Sequence, residues 1–117
     1  MEKLVVKGYV KHLGISNFNG QMINELLTVC KIKPVALQNE IHPYLPNIAI
    51  NEVAQKNGIT VIAHTPLARG DANPNEEGCN ILKEDIIADI AAKHGKTPGQ
   101  VVIKFALQRG IGLVPKT

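Results

Sequence analysis

The sequence has little of what marks several common classes of protein. No apolar run approaches the length of a membrane span, and Met1, Glu2 and Lys3 lead into no secretory signal. The two cysteines, Cys30 and Cys79, lie far apart and match no metal-binding or redox spacing. Reduced thiols in a cytoplasmic protein are therefore expected, with no membrane association.

Charge and histidine spacing argue against two further classes of partner. The 117 residues carry 13 Lys and Arg against 10 Asp and Glu, but the basic residues are scattered along predicted helices. Because no basic stripe forms, we expect no nucleic-acid binding. The histidines His12, His42 and His94 lack supporting Cys or carboxylate spacing, which indicates surface or packing roles and no metal site.

What is present is a repeated pattern of strands that end in polar residues. The chain is 44% apolar, enough for one modest core. The four predicted strands end within residues 14–18, 37–40, 63–66 and 114–117. In a barrel of alternating strands and helices, loops at the carboxyl ends of the strands converge on one ligand. The pattern therefore predicts a shared binding site.

Helical periodicity occupies the intervals between these strands. Asn19 is a predicted cap for the first helix, and Thr97 with Gln100 predicts a capping box at the start of the last. The apolar positions at helical spacing in the four helices are Met22, Ile23, Leu26, Leu27, Cys30; Ala49, Ile50, Val53, Ala54; Ile86, Ile87, Ile90, Ala91; and Val101, Val102, Phe105, Ala106. The second and fourth sets are predicted to be buried. Strands alternating with helices predict a parallel sheet.

Two segments between these elements carry separate predictions. The apolar run at residues 59–63 predicts a strand covered on both faces. Residues 68–80 are rich in Gly, Asn, Pro and Glu without an apolar period, which predicts a long loop. Such a loop directly after a strand is typical of a lid or binding loop, and a disordered surface insertion is the alternative.

Four strand–helix units supply about half of a closed barrel, which takes roughly 250 residues. The predicted fold class is therefore α/β, half of a (β/α)8 TIM barrel with four parallel strands and crossover helices. An open run of parallel strands leaves two unpaired edges.

Several motifs together resemble the aldo-keto reductase family. They are KHLGISNF at residues 11–18, QNEIHPYLP at 38–46, TPL at 65–67, GKTP at 95–98, LQRG at 107–110 and PKT at 115–117. The resemblance covers nearly the whole chain in the family's order. It implies that residues 1–117 form a single segment, strands five to eight of the barrel, and that this C-terminal half binds NADPH.

The resemblance also implies the site residues. Ser16, Asn17 and Gln38 would hydrogen-bond the nicotinamide carboxamide, since an amide needs both donors and acceptors. Ser16 and Asn17 have an ordinary alternative role, because such residues after a strand often cap the next helix. His64 stands where the family usually has a tyrosine that stacks on the nicotinamide, and a histidine that merely fills a strand end is its alternative.

The remaining implied contacts concern the phosphates. Thr65 and Leu67 begin the loop that would cross the pyrophosphate. Lys116 and Thr117 match the pair near the adenosine 2′-phosphate, where an ammonium supplies charge and a hydroxyl a directional bond. A solvated terminal charge is the alternative for Lys116.

No catalytic residue is predicted within the chain. The family's acid is a tyrosine supported by an aspartate, a lysine and a histidine from the first half of the barrel, and Tyr9 and Tyr44 match other positions. The implied function is NADPH-dependent reduction of aldehydes or ketones by the complete protein, with the isolated chain not competent. The alternative is a non-enzymatic half-barrel that self-associates or binds a partner through exposed strand edges.

Overall fold

A computed structural model describes residues 1–68 and 80–115 of the chain. In sequence order the elements are α1 (Glu2–Val6), β1 (Gly14–Ser16), α2 (Gly20–Val29), β2 (Ala36–Glu40), α3 (Ile48–Lys56), β3 (Thr60–His64), a 3₁₀ helix (Ile81–Lys83), α4 (Asp85–His94), α5 (Pro98–Leu107) and β4 (Gly112–Val114). The four strands form a parallel sheet in the order β1-β2-β3-β4. The predicted alternation of strands and helices is confirmed.

The chain divides into two compact units, each with its own buried residues. Unit 1 consists of Met1–Asn39 and Asn47–Ile62, and unit 2 of Glu40–Pro46 and Ala63–Thr117. The core of unit 1 consists of Ile23, Leu37, Ala54, Ile59 and Val61, each at most 1% exposed. In the described part of unit 2 the buried apolar residues include Ile41, Ala63, Ile81, Ile87, Ala91, Val102, Ala106 and Ile111.

The two predicted helix caps are confirmed, because capping depends on local chemistry. The Asn19 side chain accepts a hydrogen bond from the Met22 amide at 2.9 Å and begins α2. Thr97 and Gln100 form the reciprocal capping box of α5, with Pro98 at its first turn. Gly95 closes α4 with φ of 60°, a conformation that glycine adopts without a Cβ penalty.

The buried stripes of the helices are narrower than the apolar periodicity predicts. Ile86 is 67% exposed and Ile90 39% exposed, so α4 buries only Ile87 and Ala91 within the described chain. Ala49, predicted to be buried, is exposed. Periodicity marks the whole apolar face, whereas a helix packed from one side buries only the residues along its line of contact.

Strand β3 also differs from its prediction. Val61 and Ala63 are buried, whereas Thr60 is exposed and Ile62 only half-buried. The prediction that this strand is covered on both faces is therefore wrong. Side chains alternate between the two faces of a strand, so one face of β3 is packed and the other is more open.

The predicted loop at 68–80 falls mostly on residues 69–79, which lie outside the described ranges. Cys79 lies outside them as well.

None of the helices in the described ranges has the combined length and apolarity needed to cross a bilayer.

A carboxylate ties the N-terminal helix to the segment after α2. Glu2 Oε1 accepts hydrogen bonds from the backbone amides of Lys31 at 2.6 Å and Ile32 at 2.7 Å. The amides of Ile32 and Lys31 lower the pKa of the Glu2 carboxyl, because they stabilise its ionised form.

We expect this contact to make unfolding pH-dependent in a defined direction. A lowered native pKa means that Glu2 contributes stability at neutral pH and loses that contribution as pH falls through the native pKa. Urea unfolding of Glu2→Gln should show lower stability than the unmodified chain at neutral pH, with the difference shrinking under acid conditions. An equal difference at both pH values would contradict the charged contact.

Candidate functional site

Strands β1 and β2 place two of the predicted site residues directly opposite each other. The strands pair in parallel with Gly14 against Ala36, Ile15 against Leu37 and Ser16 against Gln38. On β2, Leu37 and Asn39 are buried, whereas Ala36, Gln38 and Glu40 are half-buried. Ser16 and Gln38 therefore share the more open face of this strand pair, away from the packed face of Leu37.

Asn17 extends this pairing by one residue beyond the end of β1. Its backbone amide donates to the Gln38 carbonyl at 3.1 Å. Its φ of 57° is left-handed, a conformation that asparagine tolerates better than most residues. Ser16, Asn17 and Gln38 thus lie together in unit 1, and we call them the amide edge.

The amide edge has the chemistry needed to bind a primary amide. One hydroxyl and two side-chain amides supply both donors and acceptors in adjacent positions. Ser16 and Asn17 are exposed and Gln38 is half-buried, so a ligand can reach the edge. The capping alternative does not apply to these residues, because the α2 cap is Asn19.

Sequence reasoning missed one residue beside this edge. Asn39 is 5% exposed, and its Nδ2 donates to the Phe18 carbonyl at 3.0 Å. A polar residue at a strand position facing the core was the available signal, since buried amides are usually present for a specific hydrogen bond.

The end of β3 carries the second group of predicted site residues, in unit 2. His64 is half-buried, and its Nδ1 lies 3.0 Å from the Thr65 hydroxyl oxygen. The His64 carbonyl accepts from the Ile41 amide at 3.4 Å. Leu67 packs against the buried cluster of Ile81, Ile87 and Val102. Leu67 therefore anchors the segment that leaves β3.

Thr65 has an unusual backbone conformation. Its φ is 51°, in the left-handed region where a β-branched residue is a genuine outlier. Such conformations cost on the order of 1–3 kcal/mol and cluster at ligand sites, where the surrounding structure holds them. Asn17 and Thr65 each follow the last residue of a strand, so a residue with left-handed φ stands directly after both β1 and β3.

A cluster of hydrogen-bonding side chains follows β2 within unit 2. His42 is 8% exposed, and its Nε2 lies 3.2 Å from Glu40 Oε1. The Tyr44 ring meets the His42 ring edge-on, and its hydroxyl donates to a Glu84 carboxylate oxygen. These contacts give His42 the packing role that its sequence context predicts.

The described ranges do not include every predicted site residue. Lys116 and Thr117 lie outside them, so their predicted phosphate contacts remain predictions. Across residues 1–68 and 80–115, no three or more His, Cys, Asp or Glu side chains form a group that could hold a metal ion.

Comparison with known proteins identifies the family. The model of the aldo/keto reductase family matches residues 1–117, the full length of the chain. The chain belongs to this family. As an aldo/keto reductase sequence it is similar to a probable NAD(P)H-dependent D-xylose reductase of Emericella nidulans, with 44% identity over 122 residues. It is also similar to aldose reductase C of Dictyostelium discoideum, with 43% identity over 117 residues.

Solved structures agree with this assignment. The aldose reductase of Schistosoma japonicum matches with a TM-score of 0.88 and 44% identity, covering 100% of this chain and 35% of the other. An aldo-keto reductase of the silkworm Bombyx mori matches with a TM-score of 0.89 and 33% identity, covering 99% of this chain and 36% of the other. The match to the xylose reductase covers 100% of this chain but 38% of that protein. This aldo/keto reductase chain therefore spans little more than a third of the length of these relatives.

Proposed function

We propose that residues 1–117 form one segment, the C-terminal and NADPH-binding half of an aldo-keto reductase barrel. The single observation that carries the proposal is the amide edge: Ser16 lies opposite Gln38, and Asn17 is hydrogen-bonded to Gln38. A nicotinamide carboxamide needs donors and acceptors held side by side, and the edge supplies both. The names of related xylose reductases, which include NAD(P)H dependence, support a nicotinamide cofactor in general.

Each part of the site then has a defined task. When bound, NADPH supplies the hydride for reduction of a carbonyl. The amide edge would hold the carboxamide and so fix which face of the ring points toward the substrate. His64 would stack on the ring, and Thr65 with Leu67 would begin the segment over the pyrophosphate. Lys116 and Thr117 would pair with the 2′-phosphate, which is the basis for proposing NADPH over NADH.

We further propose that these 117 residues bind the cofactor without turning over a substrate. Carbonyl reduction also needs an acid within hydrogen-bond reach of the forming alkoxide. Tyr44 matches another position in the family's motif, and its hydroxyl donates to Glu84. The substrate of the complete enzyme is proposed to be a small aldehyde or ketone, by analogy with relatives named as aldose and xylose reductases.

Calorimetric titration with NADPH, run beside a steady-state assay of aldehyde reduction, tests the proposal. We expect saturable binding of one NADPH per chain and no turnover above background. Absence of binding would overturn the cofactor proposal. Measurable turnover would overturn the separate proposal that the acid lies outside these residues.

Self-association through strand edges is the non-enzymatic alternative. The open face of the β1–β2 pair carries Gly14, Ser16, Ala36 and Gln38, which are small or polar side chains. These side chains suit a polar ligand on this face better than docking of another chain there. Association through strand edges would instead use unpaired backbone groups, so it needs its own test. A defined dimer in sedimentation, together with no NADPH binding, would favour the alternative.

His64 makes a separate prediction about stacking. An imidazole is planar but offers the nicotinamide ring less area than the tyrosine that the family usually has at this position. We expect His64→Tyr to bind NADP+ about threefold more tightly than the unmodified chain. Equal affinities of the two proteins in a calorimetric titration would contradict stacking by His64.

A further inference from the structure

We propose that Asn39 is a positioning residue that holds the turn at Asn17 and Phe18 and thereby keeps the amide edge assembled. This inference rests on the proposed function, since it assigns Asn39 a role toward the same cofactor group. Asn39 is not among the site residues that the family resemblance implies, and its side chain lies on the opposite face of β2 from Gln38.

The turn is tied to β2 by two hydrogen bonds from consecutive residues. The Asn17 amide donates to the Gln38 carbonyl at 3.1 Å, and Asn39 Nδ2 donates to the Phe18 carbonyl at 3.0 Å. Both bonds lie beyond Ser16 and Gln38, the last pair of the strand ladder. The Asn39 side chain therefore links β2 to the chain after β1, beyond the last backbone pair of the two strands.

The next residues show why this turn needs support. Asn17 has a left-handed φ of 57°, which costs free energy for any residue other than glycine. Asn19 begins α2 by accepting from the Met22 amide at 2.9 Å. Phe18 is thus the only residue between a strained position and a helix cap. Holding its carbonyl fixes the direction in which Asn17 leaves the strand.

Leucine is a suitable replacement for testing this contact. Within the described chain, Asn39 Oδ1 is buried and has no hydrogen-bond partner. An apolar side chain of similar size avoids that unpaired oxygen, so Asn39→Leu removes the contact with Phe18 without burying a new polar atom at residue 39.

Amide hydrogen exchange in Asn39→Leu tests the structural half of the proposal without any ligand. We expect exchange at the Asn17 amide to accelerate about fivefold. This factor corresponds to the free energy of one net hydrogen bond, which the substitution removes. Exchange at Cys30 should stay unchanged, because its amide donates to the Leu26 carbonyl at the far end of α2 from this turn. Unchanged exchange at Asn17 would overturn the proposal.

Binding measurements test the functional half. NADPH and adenosine 2′,5′-bisphosphate, which lacks the nicotinamide, are titrated into the unmodified chain, Asn39→Leu and Asn51→Leu. Asn51 is the matched control, a buried asparagine at 6% exposure on α3 of the same unit. We expect Asn39→Leu to weaken NADPH binding about fivefold and to leave the bisphosphate unaffected. Asn51→Leu should change neither the ratio of the two affinities nor exchange at Asn17.

The outcomes separate this proposal from the function on which it rests. If Asn39→Leu lowers the affinities for NADPH and for the bisphosphate by the same factor, the effect is a general structural one and the positioning role is overturned. Faster exchange at Asn17 with unaltered NADPH affinity would also overturn it. If the unmodified chain binds no NADPH, the proposed function fails, and the role of Asn39 toward the cofactor fails with it even when the exchange result holds.

Discussion

NADPH binding is expected to weaken about thirtyfold in Gln38→Leu, a loss of about 2 kcal/mol. The substitution removes the hydrogen bonds of one side-chain amide and leaves the nicotinamide carboxamide partly unpaired in the complex. An unpaired polar group costs more than the net value of the bond that it lost. Gln38 lies half-buried on the open face of β2, so leucine fits there without disturbing the core.

Calorimetry with NADPH and with adenosine 2′,5′-bisphosphate measures this effect. The bisphosphate should bind Gln38→Leu as it binds the unmodified chain, since it lacks the carboxamide. Gln21→Leu is the control, because Gln21 is an exposed glutamine of α2 that bonds Glu25. Normal NADPH binding by Gln38→Leu would show that the amide edge is not part of the cofactor site.

Leu37→Ala should lower the free energy of unfolding by about 3 kcal/mol. Leu37 is the residue before Gln38 and is fully buried on the packed face of β2. Truncating it removes apolar contacts and leaves a cavity that the surrounding core only partly closes. This is a large share of the stability of a small domain.

Urea unfolding followed by circular dichroism gives the comparison. Leu107→Ala is the control, because Leu107 is 51% exposed and its truncation should cost less than about 0.5 kcal/mol. NADPH affinity per folded molecule should be unchanged in Leu37→Ala. Equal stability of the Leu37 and Leu107 variants would show that the two faces of β2 have been assigned wrongly.

Much of the fold could be predicted because it depends on local chemistry. Asn19 caps a helix through its own side chain, and Thr97 with Gln100 forms a capping box within one turn. Gly95 and Gly58 end helices because each adopts a left-handed conformation. Each of these helix ends depends on residues that are only a few positions apart in the chain, so it can be predicted from the local sequence.

The width of each buried face could not be predicted in this way. Ile86 and Ile87 are the same residue type in adjacent positions, yet one is 67% exposed and the other 9%. Periodicity shows which residues are apolar, whereas burial depends on where a neighbouring element touches the helix. The exposure of Ala49 and the half-buried Ile62 have the same cause.

The order of strands and helices, two helix caps and the presence of Ser16, Asn17 and Gln38 at strand ends can be read from the amino-acid sequence. The pairing of Ser16 with Gln38 and the hydrogen bond from Asn39 to the Phe18 carbonyl are seen in the folded chain alone. These contacts join residues about twenty positions apart in the chain, a separation far beyond the three- and four-residue spacings over which local propensity acts. Strand register brings such residues together, and register is set by how the two strands pack rather than by either segment alone.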